Sequence, residues 1–367
     1  MKEIKSLYLH IPFCMQICSY CDFCKMFYNE KMVNDYLEAL TKEVKEGYRN
    51  DTLKTVYIGG GTPSSLKSYQ LDKLFSITNT FKLEENYEFT FECNISDISI
   101  ELLERLKQNK VNRISIGIET INEKFFSLIN RYNNKEDIIE KINLTKKYFK
   151  NINIDLMYGF PEETKLDLEN DLEFFKTLEV PHISIYSLIL EENTKLYINN
   201  TEPLNEELES EMYYYIIRYL KDLGYNHYEI SNFSKEGYES RHNLTYWNND
   251  EYYGFGLSSG GYVDDVRYTN TRSLNNYLKG KYKIEEEKMT INTKMENEMI
   301  LGLRKMKGIK KDDFFSKYNF KIEDIFDIMN MVDKKLIEDK EGYIYIPEDK
   351  LYLSNQILIN FIGGENE

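Results

Sequence analysis

The sequence predicts an α/β protein, a partial (β/α)6 barrel followed by a small winged-helix-like piece at the C-terminal end. Three observations predict it. Short β-rich apolar runs alternate with amphipathic stretches through the first two-thirds of the 367 residues. The polar residues that punctuate this pattern fall at the ends of the apolar runs. After about residue 285 the alternation gives way to helical patterns and one small hairpin.

Six runs are strand candidates: SLYLHIP (6–12), LKTVYIG (53–59), YEFTFEC (87–93), VNRISIGI (111–118), INIDLMYG (152–159) and HISIYSLI (182–189). Amphipathic segments such as VNDYLEALTKEVKEGY and SIELLERLKQN lie between them. Strand–helix alternation implies a parallel sheet with right-handed crossovers. In barrels of this kind chemistry gathers at the C-terminal ends of the strands. A long helix from 206 then leads into YNHYEISNF and the Gly- and aromatic-rich RHNLTYWNNDEYYGFGLSSGGY. The expected organisation is therefore a core barrel over 1–205, a barrel extension over 206–284 and the winged-helix-like segment over 285–367.

Composition narrows the function classes. Hydrophobic content of 41% with 30% charged residues is that of a soluble globular protein. No run approaches the ~18 apolar residues of a membrane span. A net charge of −15 disfavours nonspecific binding to nucleic acid or an anionic membrane surface. The N-terminal MKEIKSLYLHIPF has no long apolar core or small-residue cleavage site, so no secretory leader is expected. Five Cys is an odd number, and four crowd together, which suits metal binding in a reducing, cytoplasmic setting.

The cysteine run carries the chemistry. Cys14, Cys18 and Cys21 form Cys-x3-Cys-x2-Cys directly after the first strand. Thiolates so closely spaced cannot easily bond one another, but they can converge on one face of a metal cluster. Three Cys ligands leave the fourth iron of a [4Fe–4S] cube open to a small molecule, whereas ordinary ferredoxin runs supply four. A zinc knuckle that adds Cys24 is the alternative, although structural zinc sites usually draw ligand pairs from separated segments. GGGTP (59–63) follows the second strand, Glu92 ends the third, Glu119 follows the fourth and Asp155 lies near the end of the fifth. One mouth is thus expected to collect three thiols, a glycine loop and three carboxylates.

HIPFCMQICSYC with the downstream GGGTP resembles the radical S-adenosylmethionine (SAM) superfamily, and within it the oxygen-independent coproporphyrinogen oxidase-like group. The likeness continues through NRISIGIET, IDLMYGFPEET and HNLTYW, and HNLTYW with CSYCDF points to that group's heme-chaperone branch. The resemblance implies that Cys14, Cys18 and Cys21 ligate a [4Fe–4S] cluster, with SAM chelating the open iron. It implies that Gly60, Gly61 and Thr62 form the SAM glycine loop. Glu92 would contact the SAM ammonium, Arg131 the SAM carboxylate by a charge-assisted bond, and Asp155 the adenosine. Tyr8 and Tyr20 match aromatic positions beside cluster and nucleoside, and Ile189 an adenine-site position. Glu119 stands where the group commonly has Gln, which adds negative charge near the nucleoside. Cys24 follows Cys21 by two intervening residues instead of the decarboxylating oxidases' one and reads as a non-ligand. Cys93 reads as a small buried apolar residue.

Two functions follow from the resemblance. The first is a heme chaperone that binds heme and hands it to an acceptor, with a membrane respiratory protein as the guess for that partner. His242, Tyr246 and Trp247 of HNLTYW would then hold the heme, imidazole being a common iron ligand. The second is oxidative decarboxylation of coproporphyrinogen III. The Cys spacing and the placing of the first Cys at residue 14, without the oxidases' N-terminal cover, favour the first.

Overall fold

A computed structural model describes residues 3–363. Six parallel strands build the centre: β1 (Ser6–Ile11), β2 (Thr52–Gly60), β3 (Lys82–Asn94), β4 (Arg113–Glu119), β5 (Asn151–Tyr158) and β6 (His182–Ser187). Helices return the chain between them: α1 (Glu30–Gly47), α2 (Ser68–Thr78), α3 (Ile100–Gln108), the pair α4 (Glu123–Ile129) and α5 (Lys135–Lys146), and α6 (Lys165–Thr177). Their starts are written locally. The Asn29 and Ser99 side chains cap α1 and α3, and Thr164 with Asp167 forms a capping box on α6. The six expected strand–helix units are present.

Register separates the two faces of this sheet. Leu9 pairs with Ile58, Ile58 with Phe91, Phe91 with Ile114, Ile114 with Ile152, and Ile154 with Ile183. All of these side chains are buried. The intervening positions carry Tyr57, Glu92, Arg113, Ser115, Asp155 and Ser184, on the other face. Parallel sheets normally bury apolar residues on both faces. Here one face packs on helices and the other encloses a polar cavity.

Three short strands that the sequence pattern did not show complete the sheet. After α7 (Glu206–Asp222), β7 (Asn226–Glu229) and β8 (Asn232–Ser234) form a hairpin, with β8 antiparallel to β6. Then α8 (Arg241–Trp247) leads to β9 (Tyr253–Phe255), which pairs in parallel with the outer edge of β1. The order is β9-β1-β2-β3-β4-β5-β6-β8-β7, an open sheet with no closure among the described residues. Segment 206–284 therefore supplies both sheet edges.

Beyond it, helices Ile291–Gly302 and Lys311–Tyr318 flank Ile309–Lys310, the first strand of a three-stranded antiparallel sheet. The expected hairpin is Glu338–Lys340 with Tyr343–Tyr345, the second of which is the sheet's central strand. It turns through Glu341 (φ 53) and Gly342 (φ 80), the left-handed pair a tight hairpin needs. Ile230 N–H donates to Arg304 O (3.0 Å) and Met306 N–H to Tyr228 O (3.1 Å), tying this segment to β7 and its turn. Met295, Met299 and Leu303 belong to the same buried cluster as β1 and β2. The division at 205 and 285 remains a proposal about organisation, and its terminal residues 1–2 and 364–367 lie outside the described residues. No described helix is long and apolar enough to cross a membrane.

One buried carboxylate holds α1 to the segment after β9. Glu43 accepts from Gly256 N–H (2.8 Å), Asn270 Nδ2 (2.5 Å) and Tyr277 Oη (2.5 Å). Replacing it takes the acceptor from Gly256 N–H and Tyr277 Oη, at about 1–3 kcal/mol for each donor left unpaired, while Asn270 Nδ2 keeps Gly256 O and Ser259 Oγ. Glu43→Ala is expected to lose roughly 3 kcal/mol or more of stability, read as a lower urea midpoint at unchanged slope.

Candidate functional site

A cavity of about 540 Å³ opens at the C-terminal ends of β2–β6. Its wall gathers Cys14, Cys18 and Cys21, Gly60–Thr62, Glu92, Glu119, Arg131 and Asp155, with Tyr20 and Ile189. These are all but one of the residues the resemblance assigned to cluster and SAM. They come from seven different loops or strands.

The cysteine loop is strapped to the barrel at several points. Cys14 lies in a two-residue parallel pair with Phe27. Ser19 N–H donates to Ile129 O (3.0 Å), Asn130 Nδ2 to Ile17 O (2.9 Å), and Gln16 Nε2 to Asn130 O (2.7 Å). The Lys25 ammonium donates to the Cys21 carbonyl. Burial pushes the Cys14 thiol up to about 11, partly offset by its bond with Thr62. Burial also raises Cys18, opposed by Arg131, and Cys21, opposed by Lys25. Protonated thiols have nothing to converge on. Among the described residues no three His, Cys, Asp or Glu side chains stand gathered as a ligand set. The donor set still fits a soft metal cluster: three sulfurs on one cavity wall, free of disulfides. Metal binding would displace the protons.

The glycine loop works by absence of side chains. Gly61 N–H donates to Ile11 O and Thr62 N–H to Phe13 O, both at 2.8 Å, which laces this loop to the start of the cysteine loop. Gly60 has φ +112 and its N–H donates to Glu92 Oε2 (2.9 Å). A Cβ at Gly59 would sit 2.5 Å from the Glu92 carboxyl carbon. Glycine is what lets Glu92 lie flat against β2.

Glu92 also accepts from Tyr57 Oη (2.7 Å). Burial raises it to about 7 against these two bonds, with Asp155 adding to the rise and Arg113 opposing it. Burial likewise raises Asp155, which accepts from Asn153 Nδ2 (2.8 Å). Glu119 sits at φ +66, where the β4–β5 register shifts. Such a backbone is costly for a residue with a Cβ and is characteristic of functional sites. It aims the carboxylate at Arg131 (Nη1–Oε1 3.0 Å, Nε–Oε2 2.9 Å) and at Tyr20 Oη (3.0 Å). Burial raises Glu119 while Arg131 holds it down, and Glu119 in turn raises Arg131 against its own burial.

The structure does not bring together everything expected of it. Tyr8 misses the cavity wall, because its hydroxyl is spent on His10 Nδ1 (2.9 Å). The residues expected to hold heme lie apart from the cavity. His242 is 1% exposed, with Nδ1 on Thr55 Oγ1 and Nε2 on Tyr246 Oη, both 2.8 Å. Burial holds it neutral, at about 3. Trp247 lies under Arg304, 5.7 Å from its guanidinium carbon. These three residues lock α8 to β2 and to the C-terminal segment, and none lines the cavity. His10, His182 and His227 are buried too. Cys24 lends its carbonyl to His10 Nε2 (2.8 Å), and Cys93 is buried.

Sequence reasoning missed Tyr57, Arg113, Ser115, Asn153, Ser184 and Tyr186, all of them on the wall. Arg113 is 2% exposed and has no carboxylate within ion-pair distance among the described residues, so it acts on Glu92 and Asp155 through space. The signal was available. Every second residue of RISIGIE is polar or glycine, in a strand that a parallel sheet would otherwise fill with apolar side chains.

Residues 8–175 match the family model described as the radical SAM superfamily. The heme chaperone HemW of Lactococcus lactis subsp. lactis (strain IL1403) is 37% identical, over 99% of this chain and 98% of its own. The heme chaperone HemW of Bacillus subtilis (strain 168) is 37% identical over 98% of this chain and 100% of its own. Among solved structures, the radical SAM enzyme coproporphyrinogen III oxidase (HemN) from Escherichia coli superposes with a TM-score of 0.86. It is 20% identical, covering 98% of this chain and 90% of that one.

The raised Glu92 has a measurable consequence. A carboxyl that titrates near 7 when folded and near 4.5 when unfolded keeps its proton better in the folded state, so its share of stability is lost as pH rises through that interval. In the metal-free protein, urea midpoints are expected to fall from pH ~5 to pH ~8, with about 2 kcal/mol due to this group. Glu92→Gln should flatten the profile by that amount. An identical slope in variant and wild type would rule the assignment out.

Proposed function

Because the chain belongs to the radical SAM superfamily, and within it to the family whose members are named heme chaperone HemW, we propose that it binds heme and passes it to an acceptor protein. The observation that carries this reading is the cavity: the Cys loop, the glycine loop and the carboxylates meet on one wall, in a chain related to those proteins from end to end. Cys14, Cys18 and Cys21 would hold a [4Fe–4S] cluster. When bound, that cluster offers SAM an open iron and supplies one-electron chemistry.

The chain's own residues do the rest. Glu92, fixed by Tyr57 and Gly60, receives the SAM ammonium. Arg131 faces the SAM carboxylate, Asp155 and Glu119 the nucleoside, and Tyr20 and Ile189 the aromatic rings. Gly60, Gly61 and Thr62 bring backbone close to the ligand. For heme, the suitable surface is the mouth: Phe23 and Ile189 on the wall and Met15 beside it are exposed at 63%, 65% and 65%. Such side chains suit the apolar face of a porphyrin. His242 does not serve there, since both its ring nitrogens are committed inside the fold. A loop of free thiols needs a reducing compartment, and we place the protein in the cytoplasm. The acceptor is unidentified, with a membrane respiratory protein as the working choice.

Porphyrinogen oxidation is the competing reading, and the likeness to HemN, at 20% identity, is one of fold. The two separate in one anaerobic experiment on iron- and sulfide-reconstituted protein, given SAM and reductant with either heme or coproporphyrinogen III. Stoichiometric heme binding with no decarboxylated product is expected; product formation would overturn the chaperone reading. Cys18→Ser should lose iron and sulfide yet melt like the metal-free wild type. His242→Ala should lose about 2–3 kcal/mol of stability and keep its heme stoichiometry. Lost heme binding at unchanged stability would return His242 to the heme site.

A further inference from the structure

We propose that Glu119 sequesters Arg131 in an internal ion pair that a bound SAM carboxylate must displace, so that Glu119 sets a low SAM affinity in this chain. The inference rests on the SAM site described above and adds a determinant to it.

The guanidinium has five N–H groups, in a fork that matches a carboxylate. Here most of that fork is taken. Glu119 Oε1 accepts from Nη1 (3.0 Å), and Oε2 lies 2.9 Å from Nε as an ion pair without a hydrogen bond. Gly117 O (2.6 Å) and Asn94 Oδ1 (2.9 Å) take Nη2. No pair of parallel donors is left for an incoming carboxylate. The pair is neutral overall, so the long-range attraction that a free guanidinium exerts on an anion is largely cancelled.

The arrangement is built in. Glu119 holds a left-handed backbone, Tyr20 donates to its Oε1, and a Cβ at Gly117 would stand 2.8 Å from that oxygen. An amide of the same shape at 119 could still accept from Tyr20 and Arg131. It would leave the guanidinium its charge, and its acceptor would yield more easily to a carboxylate. Arg113, the other arginine on the wall, answers to Glu92 and Asp155 and offers no substitute.

The test uses full-length protein reconstituted anaerobically, with iron and sulfide contents matched. Titration calorimetry compares SAM with decarboxylated SAM, which lacks only the carboxylate, on wild type, Glu119→Gln and Glu119→Ala. Melting by circular dichroism shows that each is folded, and the Ala variant serves if the Gln variant is not. SAM is expected to bind roughly tenfold tighter to the variants, the scale of one charged hydrogen-bond competitor. Decarboxylated SAM should bind wild type and Glu119→Gln alike, and any loss that Glu119→Ala shows through the nucleoside should be common to both ligands. Equal or weaker SAM binding by the variants overturns the inference and leaves the SAM site standing. An equal gain for both ligands also overturns it, because Arg131 would not be the intermediary. If cluster-loaded wild type and variants all fail to bind SAM, the site assignment falls, and the inference with it.

Discussion

Everything at this site depends on strand register. A pleated strand sends alternate side chains to opposite faces, so a slip of one residue would exchange them. The apolar ladder from Leu9 through Ile58, Phe91 and Ile114 to Ile152 prevents that slip, because it would place five apolar side chains in the cavity and five polar ones against the helices. The hydrophobic effect thus aims Glu92, Arg113 and Asp155 without any contact of its own to them. The loops then need only short straps, such as those that tie the cysteine loop to residues 129 and 130.

The cavity is also electrically unfinished. Three carboxylates and two arginines share a low-dielectric wall, and burial is the largest influence on each acid. One arginine is held in an ion pair, and the other acts only at a distance. Such a wall favours a ligand that brings positive charge, and SAM carries both an ammonium and a sulfonium. Burial at the same wall raises all three thiols and so favours their protonated form. The site is therefore shaped for its contents and only modestly stabilised without them, as cofactor sites tend to be.

Much of this was legible in the sequence because it is periodic or clustered. Strand–helix alternation gave the six units, and Cys-x3-Cys-x2-Cys with GGGTP gave the mouth. The residues that escaped notice lie where neither signal operates. β7, β8 and β9 run three or four residues each, too short for alternation to register. Arg113 and Asn153 belong to the deepest layer of the cavity, away from the loops where motifs concentrate. The surroundings of His242 were illegible for the opposite reason: a motif identifies residue types in order, and says nothing of which way the imidazole faces. Only packing decides that, and here Thr55 and Tyr246 claim both nitrogens.

The pairing of β9 with β1 bears on how the protein is made. Translation delivers β1 first, directly followed by the cysteine loop, yet the strand that covers its outer side arrives some 240 residues later, at Tyr253–Phe255. At ordinary synthesis speeds that interval is on the order of ten seconds or more. Through all of it the nascent chain carries an uncovered sheet margin, open to unwanted strand pairing, beside thiols open to stray metals and oxidants. The thiol loop is thus complete in sequence well before its neighbouring margin is covered, so a metal has two distinct occasions to reach it: one before that covering, and one after.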